Sequence, residues 1–255
     1  MNRDLARRAL AEALGTGLLV TIVVGSGIMA QRLSAGEIGL ELLENSTATA
    51  LGLAVLILIL GPVSGAHFNP LVTVADHVLG RRTQTRVDRR TVAVFIPAQI
   101  LGGIGGTMLA NLMFDLPAAT ASTHIRSGAH LWLGEVVATA GLVLLIFSLA
   151  RTGRGTYGPA AVGAYIGAAY WFTSSTSFAN PAVTIARAFT DTFAGIAPGS
   201  IGGFLVAQLL GAAVGAALVA ALFPHRPTPA TPLAPAEPAA IATTATTATT
   251  VRSAS

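Results

Sequence analysis

Apolar and polar positions alternate along the chain in long blocks. Six stretches, 9–30, 46–63, 91–113, 130–150, 158–176 and 199–223, are almost wholly apolar and are separated by short polar segments. A hydrocarbon core about 30 Å thick takes roughly 20 helical residues to cross, so each block predicts a transmembrane helix. Two further apolar pieces, 69–79 and 180–190, are too short to cross alone and read as re-entrant half-helices. The pattern predicts an all-α membrane protein of six transmembrane helices plus two half-helices. From Pro224 onward the chain is Pro, Ala and Thr, ending in a Thr-rich tract. It has nothing with which to form a core and is expected to be a disordered cytoplasmic tail. The channel-like domain is therefore set at 1–223 and the tail at 224–255.

The two halves repeat each other in order. Glu12-x-x-x-Thr16 recurs as Glu135-x-x-x-Thr139, and His67-Phe68-Asn69-Pro70-Leu71-Val72-Thr73 recurs as Phe178-Ala179-Asn180-Pro181-Ala182-Val183-Thr184. Ala98-Gln99-x-x-Gly102 recurs as Ala207-Gln208-x-x-Gly211. Each repeat, about 9–113 and 130–223, holds three spans. The second must therefore enter the membrane from the opposite side, an inverted repeat with its site at the repeat interface near the midplane.

Composition narrows the class further. The chain is 53% hydrophobic and 10% charged with no cysteine, against about 25% charged residues in a soluble domain. That excludes a disulfide-stapled secreted domain and cysteine-ligated metal sites. All 15 basic residues are arginine, giving a net charge of +4. They are spread between spans rather than gathered on one face, which argues against nucleic-acid binding. Arg3, Arg7 and Arg8, then Arg81, Arg82, Arg86, Arg89 and Arg90, then Arg151, Arg154 and Arg226 fall on one side. The opposite loops hold only Arg32 and Arg126. The positive-inside bias places both termini in the cytoplasm. The first apolar run is too long for a signal peptide and contains Glu12, so a retained helix is expected. Asn45-Ser46-Thr47 is expected to cap the entry to span two.

The residues around Asn69-Pro70 and Asn180-Pro181 allow a physical reading of their own. Proline at the first helical position loses no needed hydrogen bond, and asparagine is a favourable N-cap. Each short piece should start at its Asn-Pro with the positive end of its dipole there. Two such starts meeting head to head would turn the amide N–H groups of Asn69 and Asn180 towards a passing lone pair and oppose cations. The stretch before each Asn should be extended, because proline disfavours helix in its predecessor. Backbone carbonyls of Gly65, Ala66 and His67, and of Thr176, Ser177 and Phe178, then become candidate acceptors along a wet path. Glu12 and Glu135 are intramembrane acids, and the favoured role for both is to support the irregular loops; a proton relay is the alternative. Gln99 and Gln208 are expected to join helices. His67 either lines the path or bonds within its loop. Tyr170, Trp171 and Phe172 read as lipid-facing or packing residues. No residues cluster as metal ligands, no cofactor is implied, and no nucleophile–base pair suggests an enzyme.

On Ser64-Gly65-Ala66-His67-Phe68-Asn69-Pro70-Leu71, Ser177-Phe178-Ala179-Asn180-Pro181-Ala182 and the paired Glu and Gln positions, residues 5–223 resemble the aquaporin, or major intrinsic protein, family. The resemblance implies a passive channel for water and small neutral solutes, assembled as a homotetramer in the lipid bilayer. Among its subtypes the chain is most similar to bacterial aquaglyceroporins or metalloid-conducting channels, which implies an inner (plasma) membrane. An ion-coupled secondary transporter is the alternative, since inverted repeats with broken helices build those too.

Two departures from the family stand out. The first motif ends in Leu71 where alanine is usual. The family's filter carries an arginine three residues after the second Asn, where this chain has Val183. The remaining filter positions fall by spacing on Thr49, Ala168 and Ser177. All four are small or uncharged, which implies a wide filter passing glycerol-like solutes or undissociated metalloid acids such as arsenite. Arg187, four residues beyond Val183, lies one turn along the same face. It is expected either at the outer vestibule, paired with Asp191, or snorkelling to headgroups.

Overall fold

A computed structural model describes residues 2–80 and 87–224. Arg81, Arg82, Arg86, Arg226 and the expected tail from residue 225 onward lie outside the described residues. The described chain forms α1 (Arg3–Leu33), α2 (Ile38–Ser64), α3 (Pro70–Leu79) and α4 (Arg89–Met113), then α5 (Ala129–Arg151), α6 (Gly158–Phe172), α7 (Pro181–Ala186) and α8 (Ile201–Leu222). No strand occurs among the described residues. Side-chain caps set several starts: Asn2 accepts from Leu5 N at 2.8 Å and Asp88 from Thr91 N at 2.7 Å.

Five of the six long elements are long and apolar enough to cross a membrane, namely α1, α2, α4, α5 and α8. The sixth is shorter than the apolar run suggests. Helix α6 has 15 residues and stops at Phe172, so residues 173–176, expected as the end of the span, belong to the loop before α7. Fifteen residues rise about 22 Å, and the 3₁₀ turn Gly155–Tyr157 that runs directly into α6 adds about 6 Å. Together they approach the hydrocarbon thickness.

The sequence repeat is a packing repeat. Helix α1 packs along α4, α5 packs along α8, and α2 meets α6 across the two halves. Close approach is set by glycines. A Cβ on Gly102 or Gly106 would run into the backbone of Ala13 and Gly17, and one on Gly211 or Gly215 into the carbonyls of Val136 and Ala140. With no hydrophobic drive between helices in lipid, such small-residue contacts supply the packing. Leu19, Val20, Val23, Val24 and Ile28 of α1 form the main core with Leu53, Leu142 and Ile166. Leu51, Leu58, Leu101, Leu133 and Leu209 point outward, as side chains facing acyl chains should.

Asn45 corrects one expectation. Helix α2 begins at Ile38, so Asn45 sits two turns inside it rather than at its cap. Its Nδ2 donates to Val23 O and Ser26 Oγ, both at 2.8 Å. It is a polar link between α1 and α2, 1% exposed.

The glycine contacts yield a controlled test. Gly106→Ala should separate α1 from α4 and lower stability in detergent by about 1–3 kcal/mol. Gly105→Ala, at a position with nothing within 4 Å of an added Cβ, should leave the melting temperature unchanged or slightly higher. Equal melting for the two variants would refute the packing role.

Candidate functional site

Both half-helices begin as their Asn-Pro pairs demand. Asn69 is extended (φ −151°, ψ 121°) and its Oδ1 accepts from Leu71 N at 2.9 Å, with Pro70 in the first turn. Asn180 is extended (φ −157°, ψ 113°) and caps Ala182 N at 3.0 Å and Val183 N at 3.3 Å, with Pro181 following. Four residues on, Thr73 and Thr184 bond back to the carbonyls of Asn69 and Asn180 at 3.1 and 2.8 Å.

The loops ahead of the asparagines are not extended. They take left-handed conformations at matching positions: Gly65, Ala66 and Phe68 in the first, Thr176, Ser177 and Ala179 in the second. The preference proline imposes reaches only its immediate predecessor, so it governs Asn69 and Asn180 and no residue before them. Left-handed backbone costs a non-glycine residue about 1–3 kcal/mol, so each loop must be held from outside.

Two buried carboxylates, those of Glu12 and Glu135, bond to them. Glu12 Oε1 accepts from Ser64 Oγ at 2.6 Å and His67 N at 3.0 Å, while Oε2 accepts from Phe68 N at 2.7 Å and Gln99 Nε2 at 2.8 Å. Glu135 Oε1 accepts from Phe178 N at 2.8 Å, and Oε2 from Ala179 N at 2.8 Å and Gln208 Nε2 at 2.6 Å. Hydrogen bonds to a charged group contribute about 1.5–3 kcal/mol each, the right order to offset the loop strain. Gln99 and Gln208 also donate to Thr73 Oγ1 at 2.9 Å and Thr184 Oγ1 at 2.8 Å, so each ties loop, half-helix and long helix together.

Between the loops the asparagines clasp each other's backbone. Asn69 Nδ2 donates to Ala179 O and Asn180 Nδ2 donates to Phe68 O, both at 2.8 Å. One amide hydrogen of each is thus committed to the opposite repeat, and the second remains. Both asparagines border a cavity of about 650 Å³ that runs past Gly65, Ala66, His67 and Phe68 and on past Ser177, Phe178 and Ala179. Thr176, expected beside them, does not border it. The left-handed step at Thr176 belongs to a turn in which its N–H bonds Thr173 O at 3.2 Å. His67 borders the cavity, and its Nδ1 lies 3.0 Å from Oγ1 of Thr73, which is in the half-helix rather than the loop.

At the four filter positions the geometry splits. Thr49, Ser177 and Val183 line the cavity; Ala168 does not and stands on the exposed face of α6. Helix α6 turns Tyr170 inward instead. It is 4% exposed, borders the cavity, and its hydroxyl lies 3.3 Å from Thr49 Oγ1. Counting back from Asn180 to Ala168 missed this because the intervening residues leave the helix at Phe172 and follow no helical face. Trp171 and Phe172 point outward as expected, 51% and 55% exposed. The Ser177 hydroxyl is buried and bonds to no described residue. Leu71 is buried and does not border the cavity.

Arg187 is neither snorkelling nor paired with Asp191. It is 3% exposed and borders the cavity; its Nε donates to Ala194 O and its guanidinium carbon lies 3.5 Å from the Phe178 ring centre. Helix α7 ends at Ala186 and Thr190 is extended, so the i,i+4 register with Asp191 is lost. Asp191 instead accepts from Thr123 N and Oγ1 at 2.8 and 2.9 Å, which hold its carboxyl below the usual carboxylate value. Arg126, which the sequence did not mark, reaches the same turn. It donates to Gly195 O at 2.8 Å and Phe193 O at 3.1 Å, and lies 5.3 Å from the Phe178 ring.

Comparison with known proteins adds four findings. A family profile described as MIP, major intrinsic protein, matches residues 1–179. The chain is 54% identical over 225 residues to aquaglyceroporin AqpS of Rhizobium meliloti (strain 1021), covering 88% of this chain and 94% of that protein. It is 29% identical to aquaporin AqpM of Methanothermobacter marburgensis, over 87% and 98% of the two chains. The fold matches the crystal structure of the aquaglyceroporin from Plasmodium falciparum with a TM-score of 0.63 at 22% identity, covering 84% of this chain and 95% of that one.

The carboxylate clamp is testable. Glu135→Gln places an amide donor against Phe178 N or Ala179 N and leaves that N–H unpaired, a loss of about 1–3 kcal/mol. Thermal stability in detergent should fall by that order. Solute flux through the folded fraction should keep the wild-type pH profile. A flattened profile would instead mark Glu135 as a proton carrier.

Proposed function

The chain belongs to the major intrinsic protein, or aquaporin, family, and from that premise we propose that it is a passive channel whose wide filter admits glycerol-like solutes and undissociated metalloid acids such as arsenite along with water. It is an integral membrane protein and not an enzyme. The observation carrying the solute reading is Val183 in the cavity wall, where a side chain with no charge and a short reach leaves the path broad. Thr49 and Tyr170 bring two hydroxyls, 3.3 Å apart, to the same stretch, and hydroxyls exchange hydrogen bonds with a polyol or an oxyacid in turn. Midway, the free amide hydrogens of Asn69 and Asn180 offer donors to a passing oxygen. The carbonyls of Gly65, Ala66, His67, Ser177 and Phe178 offer acceptors to its protons. Residues 1–223 form the channel domain in this reading. In this reading the bacterial relative supports a bacterial inner membrane, the arginine distribution supports cytoplasmic termini, and the homotetramer follows from family membership alone.

The Glu12 and Glu135 carboxylates accept seven hydrogen bonds between them, which suits fixed loop supports rather than coupling groups.

Stopped-flow light scattering on proteoliposomes tests the solute reading. The wild type should shrink and re-swell faster than empty vesicles with glycerol and arsenite, linearly in solute concentration. Val183→Arg should cut glycerol flux about tenfold or more, a loss equivalent to about 1.4 kcal/mol, while sparing water. Saturating flux, or a requirement for an ion gradient, would favour a transporter. Unchanged rates in the variant would remove Val183 from the filter.

A further inference from the structure

We propose that Arg187 is the fixed charge that excludes cations from this path, standing one turn beyond the position at which the family carries its filter arginine. The inference rests on the channel reading and deepens it.

Three observations carry it. Arg187 and Val183 border one cavity and are four residues apart on one face, so the charge absent at 183 reappears on the same wall. The guanidinium is nearly fully buried yet makes no direct ion pair among the described residues. The ion pairs among the described residues are Arg7 with Asp4 and His124 with Asp191, and neither involves Arg187. Its Nε is fixed on Ala194 O, and neither Nη nitrogen has a hydrogen-bond partner among the described residues. A buried intramembrane cation held without a direct ion pair is costly to retain and reads as a functional position. Finally, its place is rigid. The Phe178 ring lies under the guanidinium at 3.5 Å, a cation–π contact well inside the usual 6 Å limit. Arg126 bonds the neighbouring carbonyls of Phe193 and Gly195. The 193–195 turn is thus gripped by two arginines, and Phe178 adjoins Ser177, which also borders the cavity.

The displacement separates two tasks. An arginine at 183 would project across the path, narrowing it and charging it at once. At 187 the side chain lies back against Phe178 and Ala194, so the charge remains while the width is released. The channel then admits bulky neutral solutes and still repels cations.

Proteoliposomes holding the full chain test this through proton and potassium leak, read with an internal pH dye, alongside water and glycerol flux. The wild type should be as ion-tight as empty vesicles. Arg187→Met should raise the leak by about tenfold or more, one factor of ten being about 1.4 kcal/mol, with water flux kept. Arg187→Lys should stay tight. Adding Val183→Arg to Arg187→Met should restore tightness and cut glycerol flux. An ion-tight Arg187→Met that conducts water would overturn the inference and leave the channel reading intact, as would a leaky wild type. If Arg187→Met yields no folded channel, Arg187→Lys decides: a tight variant supports the charge, a leaky one refutes it. Absence of solute flux in the wild type would remove the channel reading itself.

Discussion

Everything at the centre of this protein depends on two carboxylates with no exposure to solvent. Irregular backbone inside a membrane has no water to satisfy it, and the two re-entrant loops are irregular at every step before their asparagines. Glu12 and Glu135 accept the loop N–H groups that no helix could accept, and Gln99 and Gln208 extend the same network to the half-helices. The left-handed positions are therefore possible because an acid on a neighbouring long helix takes the bonds they leave open. The close glycine contacts between α1 and α4, and between α5 and α8, serve the same end. They bring each acid-bearing helix against the helix that carries its glutamine.

On that frame the cavity wall is polar at few points, and each differs in kind. Asn69 and Asn180, the loop before each, the hydroxyl-bearing Thr49 and Tyr170, and the charged Asp76 and Arg187 all border it. In the proposed reading width and charge are set by different residues, 183 and 187, so that a solute would be sorted by bulk at one side chain and by sign at another.

The sequence disclosed whatever depends on local chemistry repeated twice. Asn-Pro caps a half-helix for reasons internal to four residues, and the ordered return of Glu, Asn-Pro and Gln made the inverted repeat legible. What it concealed depends on where helices stop. Helix α6 ends at Phe172 rather than near 176, so counting back from Asn180 selected exposed Ala168 and passed over Tyr170. Helix α7 ends at Ala186, so the i,i+4 pairing of Arg187 with Asp191 never forms. The left-handed loop positions gave a signal only at Gly65; their counterpart at Thr176 carries no glycine. Thr73 and Thr184 stood in plain view at equal distance from the two asparagines. Their role emerges only when Gln99 and Gln208 are seen to reach them.

The reciprocal asparagine clasp has a consequence for biosynthesis. Asn69 donates to Ala179, and Asn180 donates to Phe68, so neither repeat satisfies its own centre. A ribosome delivers the first three spans long before residue 179 exists. During that interval the Phe68 carbonyl and the Asn69 amide lack these partners, so the centre of the first half is completed only when the second arrives. The chain order makes the late segment, not the early one, the step that seals the molecule.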